Sequence, residues 1–414
     1  MKKSLMFMLV TIIAIAMIGT MTLAGCQQAA PETTAAETTA AETTAAETTA
    51  AETTAAEETM EEEDMDAIDP MIEQLRVGMD QYRTENIEFA GPAGQTPTWD
   101  TELYLTVGEV AEIQAGNYKA ALARHGSQGE YTEALYGGCL DYFEYLNFEI
   151  TADTSAEFDD AALQANVETI MATEPDVIVG FPQNTITAAE IFQPAVDAGI
   201  KLVFVSNLPE GYVHPDDFVG ISTSQPFDQG VYMARAIGDS GAKKVGVIFF
   251  DADFYIVNLI DGVVRDTLAA EYPDVEIIAE QGFADVTQGI TDAASALIQQ
   301  NPEVEALYVS FNALNAATAC EDANRPDIKI VSQGLDVPYM VNMLSGGNIY
   351  AIITDSTYNI GVNMSIMGGY GVLGKIAPEY VVAPSATITK DNVAEMWDFA
   401  FRIVPLPDAI SELL

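Results

Sequence analysis

Short apolar runs alternate with amphipathic segments along most of the chain, from Lys119 onward. Residues 177–179 and 202–205 are two such runs, each flanked by turn residues, which is typical of strands that are buried on both faces. Between them, Ile191, Phe192 and Val196 fall on one face of a helix. A strand, a helix and a second strand at this spacing predict a βαβ unit whose two strands run parallel.

The same pattern recurs through the rest of the chain, where Leu163, Val167 and Ile170 mark another helical face. This alternation predicts an α/β fold with parallel sheets. A segment of roughly 300 residues exceeds the usual size of one hydrophobic core, so two domains are expected. The strand candidates are residues 119–124, 148–151, 176–179, 202–205, 244–250, 275–279, 306–309, 328–332 and 350–354.

The N-terminus has the pattern of an export signal. Lys2 and Lys3 precede an apolar stretch over residues 5–21, and residues 23–26 read Leu-Ala-Gly-Cys. A signal-anchor helix that stays in the membrane is the alternative, but these last four residues resemble the lipobox of bacterial lipoproteins. The resemblance implies that residues 1–25 are a signal peptide. It also implies that Cys26 carries the lipid that anchors the protein to the outer face of the cell membrane.

Two segments separate this signal from the α/β pattern. Residues 26–66 repeat Glu-Thr-Thr-Ala-Ala and then become acidic, without aromatic residues or apolar periodicity, which predicts a disordered tether. In residues 67–117, Met71, Leu75 and Met79 recur at the spacing of one helical face, which predicts a helix through all three. We expect this N-terminal extension to pack on the main domain.

Charge and composition exclude several classes of function. The formal net charge is −47 over 414 residues, which would repel the phosphates of nucleic acids and the surface of an anionic membrane. The chain has two histidines and three cysteines without a Cys-x-x-Cys spacing, so no metal site is predicted. No glycine-rich nucleotide motif follows a strand, and no cofactor is expected.

Three segments that follow one another in βαβ order resemble the type I periplasmic binding proteins. They read Pro-Asp-Val-Ile-Val at 175–179, Asp-Ala-Gly-Ile-Lys-Leu-Val-Phe-Val-Ser-Asn at 197–207 and Val-Gly-Ile-Ser-Thr-Ser at 219–224. The nearest group is the ribose- and sugar-binding lipoproteins of ABC importers, and the resemblance spans about residues 117–414. It is carried by the ordered series of segments, since no single one of them is diagnostic.

The resemblance implies two similar three-layer α/β lobes with parallel sheets, joined by a three-crossover hinge, with the ligand between the lobes. The crossovers are expected near residues 222–225, 355–357 and 383–385. Lobe one would then comprise residues 118–222 and 357–384, and lobe two residues 223–356 and 385–414.

Polar and aromatic residues that follow the strands are the candidate ligand contacts, because ligands of open α/β sheets bind beyond the carboxyl ends of the strands. Rings can stack on the C–H face of a sugar while amides and carboxylates bind its hydroxyls. Several candidates have a structural alternative. Tyr131 can pack in a first helical turn, Asp355 can cap a helix, and His125 can be a loop histidine whose hydrogen bonds are satisfied. Residues 253–255 can form a strand-end turn whose rings pack within the lobe. From strand ends and the family's positions, the candidates are His125, Gln128, Tyr131, Asn207, Asp253, Phe254, Tyr255, Phe311, Asn312, Asp336 and Asp355.

The chain departs from the sugar-binding members that it resembles. Ser206 and Asn207 stand where those members often have Asp-Arg, Ala313 stands where they have an aspartate, and an expected arginine near Val257 is missing. No basic residue can be placed among the candidates, and an anionic ligand would need one. The ligand is therefore predicted to be neutral or cationic.

No Ser/His/Asp order, metal cluster or cofactor loop supports catalysis, so the chain is not expected to be an enzyme. The resemblance implies a monomeric, lipid-anchored, extracytoplasmic solute-binding protein of an ABC importer. It would capture a small neutral carbohydrate or polyol and deliver it to a permease that is powered by an ATPase. The alternative is a surface receptor that presents a furanosyl signal or a nucleoside-like ligand to a membrane sensor, and the candidate residues do not separate the two.

Overall fold

The computed structural model describes residues 64–251, 254–286 and 288–414. The predicted signal peptide, Cys26, nearly all of the predicted tether and Asp253 lie outside the described residues. No helix in the described ranges combines the length and the hydropathy that a membrane span requires.

The described strands form two sheets, a seven-stranded one in the order β1-β12-β6-β5-β4-β2-β3 and a six-stranded one in the order β13-β11-β10-β9-β7-β8. Neighbouring strands are parallel throughout, with the exception of the antiparallel pair β11 and β13. The strands are β1 (Pro97–Trp99), β2 (Lys119–Arg124), β3 (Glu149–Ser155), β4 (Val177–Gly180), β5 (Lys201–Val205), β6 (Gly220–Ser224), β7 (Lys244–Phe250), β8 (Glu276–Phe283), β9 (Ala306–Val309), β10 (Lys329–Gln333), β11 (Ile349–Asp355), β12 (Tyr380–Ala383) and β13 (Ser385–Ile388).

Helices connect most of these strands and cover both faces of each sheet, and single 3₁₀ turns occur at Asp80–Tyr82 and Asp100–Glu102. The helices are α1 (Pro70–Arg76), α2 (Val107–Ala115), α3 (Glu130–Tyr145), α4 (Asp160–Met171), α5 (Thr185–Asp197), α6 (Pro226–Asp239), α7 (Tyr255–Glu271), α8 (Gly289–Gln300), α9 (Ala313–Asp322), α10 (Val337–Leu344), α11 (Thr357–Leu373), α12 (Val393–Phe401) and α13 (Asp408–Ser411).

The central strands are buried on both faces because their side chains alternate between two cores. Val177 and Val179 of β4 pack with residues of α3 and α11, whereas Ile178 packs with residues of α4 and α5. In the second sheet, Leu307 and Tyr308 of β9 divide in the same way between two other cores. The predicted α/β fold, with two lobes of mainly parallel strands, is confirmed.

The chain passes between the two sheets three times. It leaves the first sheet after Ser224, returns between Asp355 and Thr357, and leaves again between Ala383 and Ser385. Helix α11, which directly follows the second of these passages, packs against β4, β5 and β6. The lobe limits expected from the sequence stay predictions.

The N-terminal extension contributes to the core of lobe one. Ile72, Leu103 and Leu105 are buried in that core, and β1 extends the sheet by pairing with β12. The extension also reaches lobe two, where Met79 is buried beside residues of α12. It therefore belongs to the folded body of the protein.

The helix predicted through Met79 is wrong at its C-terminal end. Asp69 caps α1 by accepting hydrogen bonds from the backbone N–H groups of Met71 and Ile72 at 2.9 and 3.3 Å. The helix ends at Arg76, because Val77 adopts a non-helical backbone and Gly78 follows with a φ of 79°.

Glycine is required where α3 and α11 cross. A Cβ atom on Gly361 would lie 1.9 Å from the carbonyl oxygen of Leu135, and one on Gly138 would lie 2.2 Å from the carbonyl oxygen of Tyr358. Both obstacles are backbone atoms, which can move only if the helices separate. The crossing thus fixes α11, and with it the point where the chain returns to lobe one after Asp355.

We predict that Gly361→Ala lowers the free energy of unfolding by about 3 kcal/mol, because the added methyl group forces α3 and α11 apart. Gly262→Ala is the matched control: Gly262 lies within α7 and has no atom within 4 Å of its added Cβ. The control should gain about 0.5 to 1 kcal/mol from helix propensity. Urea unfolding of both variants measures the difference, and equal stability of Gly361→Ala and wild type would contradict the close crossing.

Candidate functional site

A cavity of about 400 Å³ lies between the two lobes, beyond the carboxyl ends of their strands. This is the position at which open α/β sheets bind ligands. Lobe one contributes His125, Tyr131, Phe158, Phe181 and Ser206 to its lining. Lobe two contributes Ser224, Gln229, Phe254, Ile256, Val257, Phe311, Asn312, Gln333, Gly334, Leu335, Asp336, Tyr339, Ile353, Thr354 and Asp355.

A group of rings in lobe one surrounds His125. Its ring centroid lies 4.3 Å from that of Phe181 and 5.1 Å from that of Phe158, and its Nδ1 atom is 2.9 Å from the Tyr136 hydroxyl. Burial lowers the pKa of His125 to about 4, so the imidazole is neutral at pH 7. Phe158 is 69% exposed, although it lines the cavity. His125 therefore supports an apolar wall and supplies no positive charge.

A second aromatic wall belongs to lobe two. The ring of Phe311 meets Phe283 and Phe250 edge to face, at centroid distances of 5.2 and 5.3 Å. Such contacts fix the plane of a ring that is only partly buried. Phe254, at the start of α7, lines the same cavity. The cavity thus lies between rings of both lobes.

Amide side chains beside these rings are held in place by lobe two. Asn312 donates from Nδ2 to the Val286 carbonyl oxygen at 3.2 Å, and its Oδ1 accepts from the Tyr339 hydroxyl at 3.4 Å. Its φ of 56° is left-handed, a conformation that asparagine adopts more readily than most residues. Gln333 donates from Nε2 to the Ser310 carbonyl oxygen at 2.8 Å. Both amides are therefore fixed in orientation at the cavity.

Asp355 stands at the hinge, where the chain passes from β11 to α11. The hydroxyl of Thr357 donates to its Oδ1 at 2.5 Å, and burial raises the pKa of Asp355 to about 6. Ser356, and not Asp355, is the N-cap residue of α11, and its side chain makes no capping hydrogen bond to the helix backbone. The Asp355 carboxylate accepts from the Thr357 side chain instead. Tyr131 of the opposite lobe lies near Asp355. Burial raises the pKa of Tyr131, and the negative charge of the Asp355 carboxylate raises it further.

Two other acids, Glu130 and Asp336, face each other across the cleft. Glu130 begins α3 in lobe one, and Asp336 precedes α10 in lobe two. Burial raises the pKa of Glu130, and the charge of Asp336 together with a hydrogen bond to it raises this pKa further. Two carboxyl groups in contact favour a shared proton or a nearby cation.

The structure brings seven of the predicted residues to the cavity and leaves three outside it. Gln128 is exposed in the loop before α3. Asn207 donates to the Pro182 carbonyl oxygen at 3.1 Å, because the left-handed φ of 65° at Ser206 turns the chain so that Ser206 lines the cavity instead. Tyr255 donates its hydroxyl hydrogen to the Ala90 carbonyl oxygen. The seven residues at the cavity are His125, Tyr131, Phe254, Phe311, Asn312, Asp336 and Asp355. The roles of all the candidates as ligand contacts remain predictions.

Several residues at the cavity were not predicted from the sequence. Phe181 and Gln333 stand at the carboxyl ends of β4 and β10, so the rule that found Asn312 could also have found them. Phe158 lies in a loop and Tyr339 lies within a helix, and neither position has a local signal for a ligand contact. Glu130 required knowledge of what faces α3 across the cleft.

Within the described ranges, no group of three or more histidine, cysteine, aspartate or glutamate side chains is arranged to hold a metal ion. The acids at the cavity therefore meet rings and amides, without a set of ligands for a metal. Such a site can hold an organic molecule by stacking, hydrogen bonding and charge.

The sequence matches the family described as periplasmic binding protein domain over residues 120–367, which is more than half of the chain. The chain belongs to this family. A putative rhizopine-binding protein of Rhizobium meliloti is 25% identical over 286 residues, which cover 66% of this chain and 87% of that relative.

Solved structures of periplasmic binding proteins share the fold. The arabinose-binding protein AraP of Geobacillus stearothermophilus superposes with a TM-score of 0.61 at 18% identity, over 67% of this chain and 99% of AraP. A periplasmic ribose ABC transporter protein of Conexibacter woesei gives a TM-score of 0.62 at 15% identity, over 69% of this chain and 98% of its own. These likenesses agree with the two-lobed architecture.

We predict that Asp355→Asn stabilises the ligand-free protein above pH 6. Because the folded state holds the Asp355 proton more tightly than the unfolded state, the free energy of unfolding falls as pH rises from about 4 to about 6 and then stays low. The neutral amide should therefore add about 2 kcal/mol at pH 7.5, and the gain should vanish below pH 4.

Urea unfolding at pH 7.5 and at pH 4 measures this gain. Asp322→Asn, which removes an exposed acid from α9, is the control and should change stability little at either pH. Equal or lower stability of Asp355→Asn at pH 7.5 would contradict the assignment of Asp355 as a buried, destabilising acid.

Proposed function

We propose that this protein is the extracytoplasmic, lipid-anchored solute-binding protein of an ABC importer, and that a small carbohydrate or polyol is its ligand. The observation that carries the proposal is the cavity between the lobes, where rings of both lobes meet fixed amides and two aspartates. A ligand that fills it contacts both lobes at once.

The lining matches a compact polyhydroxyl ligand. Phe158, Phe254 and Phe311 offer ring faces for the C–H face of a sugar, while Asn312 and Asp355 offer groups for its hydroxyls. A volume of about 400 Å³ suits a small molecule. An anionic ligand is disfavoured, because neither lysine nor arginine is among the described residues that line the cavity.

The relatives support the same class of ligand. The solved structures of similar fold include an arabinose-binding protein and a solute-binding protein of Agrobacterium vitis bound with alpha-D-tagatopyranose. They are binding proteins, and we propose that this chain likewise binds its ligand without transforming it.

The two-lobed fold supplies a mechanism for capture. A ligand that contacts both lobes binds the closed arrangement more tightly than the open one, and this difference shifts the equilibrium toward closure. In the proposal, the closed monomer docks on a membrane permease, and an ATPase powers transport. The lipid on Cys26 and the acidic segment that follows would keep the protein near the permease.

We predict that a pentose, a hexose or a polyol raises the melting temperature of the full chain in a thermal-shift panel that also contains nucleosides. Binding to the native state alone stabilises it by mass action. Phe311→Ala should then weaken the affinity for that ligand by at least about 5-fold, because a stacking ring is lost. Calorimetric titration measures the affinity.

Ile376→Ala is the control for this variant, since Ile376 is an exposed apolar residue of lobe one outside the cavity. Its affinity should equal that of the wild type. A response to nucleosides alone would replace the proposed carbohydrate or polyol by a nucleoside-like ligand. A folded protein that responds to no member of the panel would contradict the proposed ligand class.

A further inference from the structure

The ionisable side chains at the cavity have one sign of charge. Asp336 and Asp355 line it, Glu130 faces Asp336, and the histidine is neutral at pH 7 because its pKa is about 4. None of the ion pairs among the described residues involves any of these three acids. The cleft of the ligand-free protein therefore carries negative charge that no cation among the described residues pairs with.

Hydrogen bonds alone leave this charge in place. Among the described residues, the donors to the Asp355 carboxylate are the Thr357 hydroxyl and the backbone N–H of Asp355 itself, and both are neutral. Sugar hydroxyls add further neutral hydrogen bonds that offset part of the cost of a buried charge, and a positive group offsets more of it. No group of three or more histidine, cysteine, aspartate or glutamate side chains among the described residues is arranged to hold a metal ion, so we place the positive group on an organic ligand.

The rings around the acids favour the same partner. Tyr131 lies near Asp355, and Phe254 and Phe311 line the same cavity. The face of an aromatic ring attracts an ammonium group, and this attraction is stronger where water is excluded. The net charge of −47 also raises the concentration of cations near the protein.

We propose that the ligand carries a protonated amine, which binds Asp355 between the aromatic walls while its hydroxyls bind the amides. The ligand class is an amino sugar or an amino polyol. This inference rests on the proposed function, since it names the charged group of the ligand in that same cavity.

Matched pairs of ligands test the inference, with the full chain titrated calorimetrically at pH 7.5. The probes are D-glucosamine against D-glucose, and 1-amino-1-deoxy-D-glucitol against D-glucitol. The amine of at least one pair should bind roughly 10- to 100-fold more tightly than its hydroxyl counterpart, the range expected for a charged hydrogen bond. Asp355→Asn should abolish that difference, because its amide carries no charge that favours the amine over the hydroxyl.

Asp336→Asn provides a second variant, because Asp336 lines the cavity and faces Glu130. Asp322→Asn controls for the loss of an exposed charge. A smaller preference for the amine in Asp336→Asn, with no change in Asp322→Asn, supports a cleft built for a cation. Tighter binding of the neutral members overturns this inference and leaves the proposed function intact. Binding of neither member of either pair by a folded protein also overturns this inference, whereas the thermal-shift panel decides the proposed function separately.

The N-terminal extension carries a second, independent inference, because it is attached to both lobes. The extension is part of the lobe one core. On the side of lobe two, the ring of Tyr82 meets that of Phe399 in α12 edge to face, at a centroid distance of 4.6 Å. Thr84 donates from Oγ1 to Asp228 of α6 at 2.9 Å, and the Ala90 carbonyl oxygen accepts from Tyr255 of α7. Residues 79–90 thus contact lobe two between two segments that are built into lobe one.

We infer that residues 79–90 form a strap that restricts how far the lobes separate. Opening of the cleft would have to break these contacts or carry the strap along, so the strap adds stability to the closed arrangement. The variant Tyr82→Ala/Thr84→Ala weakens the strap without altering the cavity. Val77→Ala is the control, since Val77 is 75% exposed in the same extension.

Pulsed electron paramagnetic resonance on the ligand-free full chain measures the opening. Spin labels on Ile186→Cys in lobe one and Val286→Cys in lobe two report the distance, since both positions are exposed and Cys139 and Cys320 are buried. The mean distance should lengthen by more than about 2 Å in the double variant and stay unchanged in the control. Thr84→Val alone should lengthen it less. Unchanged distances in both folded strap variants overturn the inference.

Discussion

The direction of the strands is the constraint on which the rest of the structure depends. Apart from β13, the strands of each lobe run parallel, so their carboxyl ends meet at one edge. The three passages of the chain between the sheets bring these two edges together. Residues that follow the strands, such as Phe181 and Ser206, thereby line one cavity. The close crossing of α3 and α11 fixes this arrangement on the side of lobe one, directly after the hinge acid Asp355.

The cleft is also where the protein departs from what stability alone would favour. The lobes bury apolar residues on both faces of each sheet. The cleft between them holds Asp355, a half-buried acid that forms no ion pair with any described residue, and the facing carboxyl groups of Glu130 and Asp336. Such groups are costly unless another charge meets them. Acids of this kind beside ordered rings and amides are typical of a ligand-binding site. The cores of the two lobes supply stability that offsets the cost of these acids.

The periodicity of the chain predicted every long parallel strand with an apolar centre, since burial on both faces produces a run that is visible in the sequence. It did not reveal β1, β6, β12 or β13. Strands β1, β12 and β13 are only three or four residues long, and Gly220–Ser224 of β6 is mostly polar although it is buried. Strand ends correctly directed attention to Phe311, Asn312 and Asp355. The sequence could not show that Ser206 would replace Asn207 at the cavity, because that choice depends on one left-handed residue. Nor could it show that Glu130 meets Asp336, because this contact depends on how two lobes approach each other.

Hydrogen exchange on the full chain, with and without a saturating sugar or polyol that raises its melting temperature, tests most directly whether a ligand joins the two lobes. The account predicts slower exchange of backbone amides in both lobes at once, at residues 125–131 of lobe one and 333–339 of lobe two, and also at the hinge around Asp355. Protection that is confined to one lobe, or that lies away from the cleft, would contradict it.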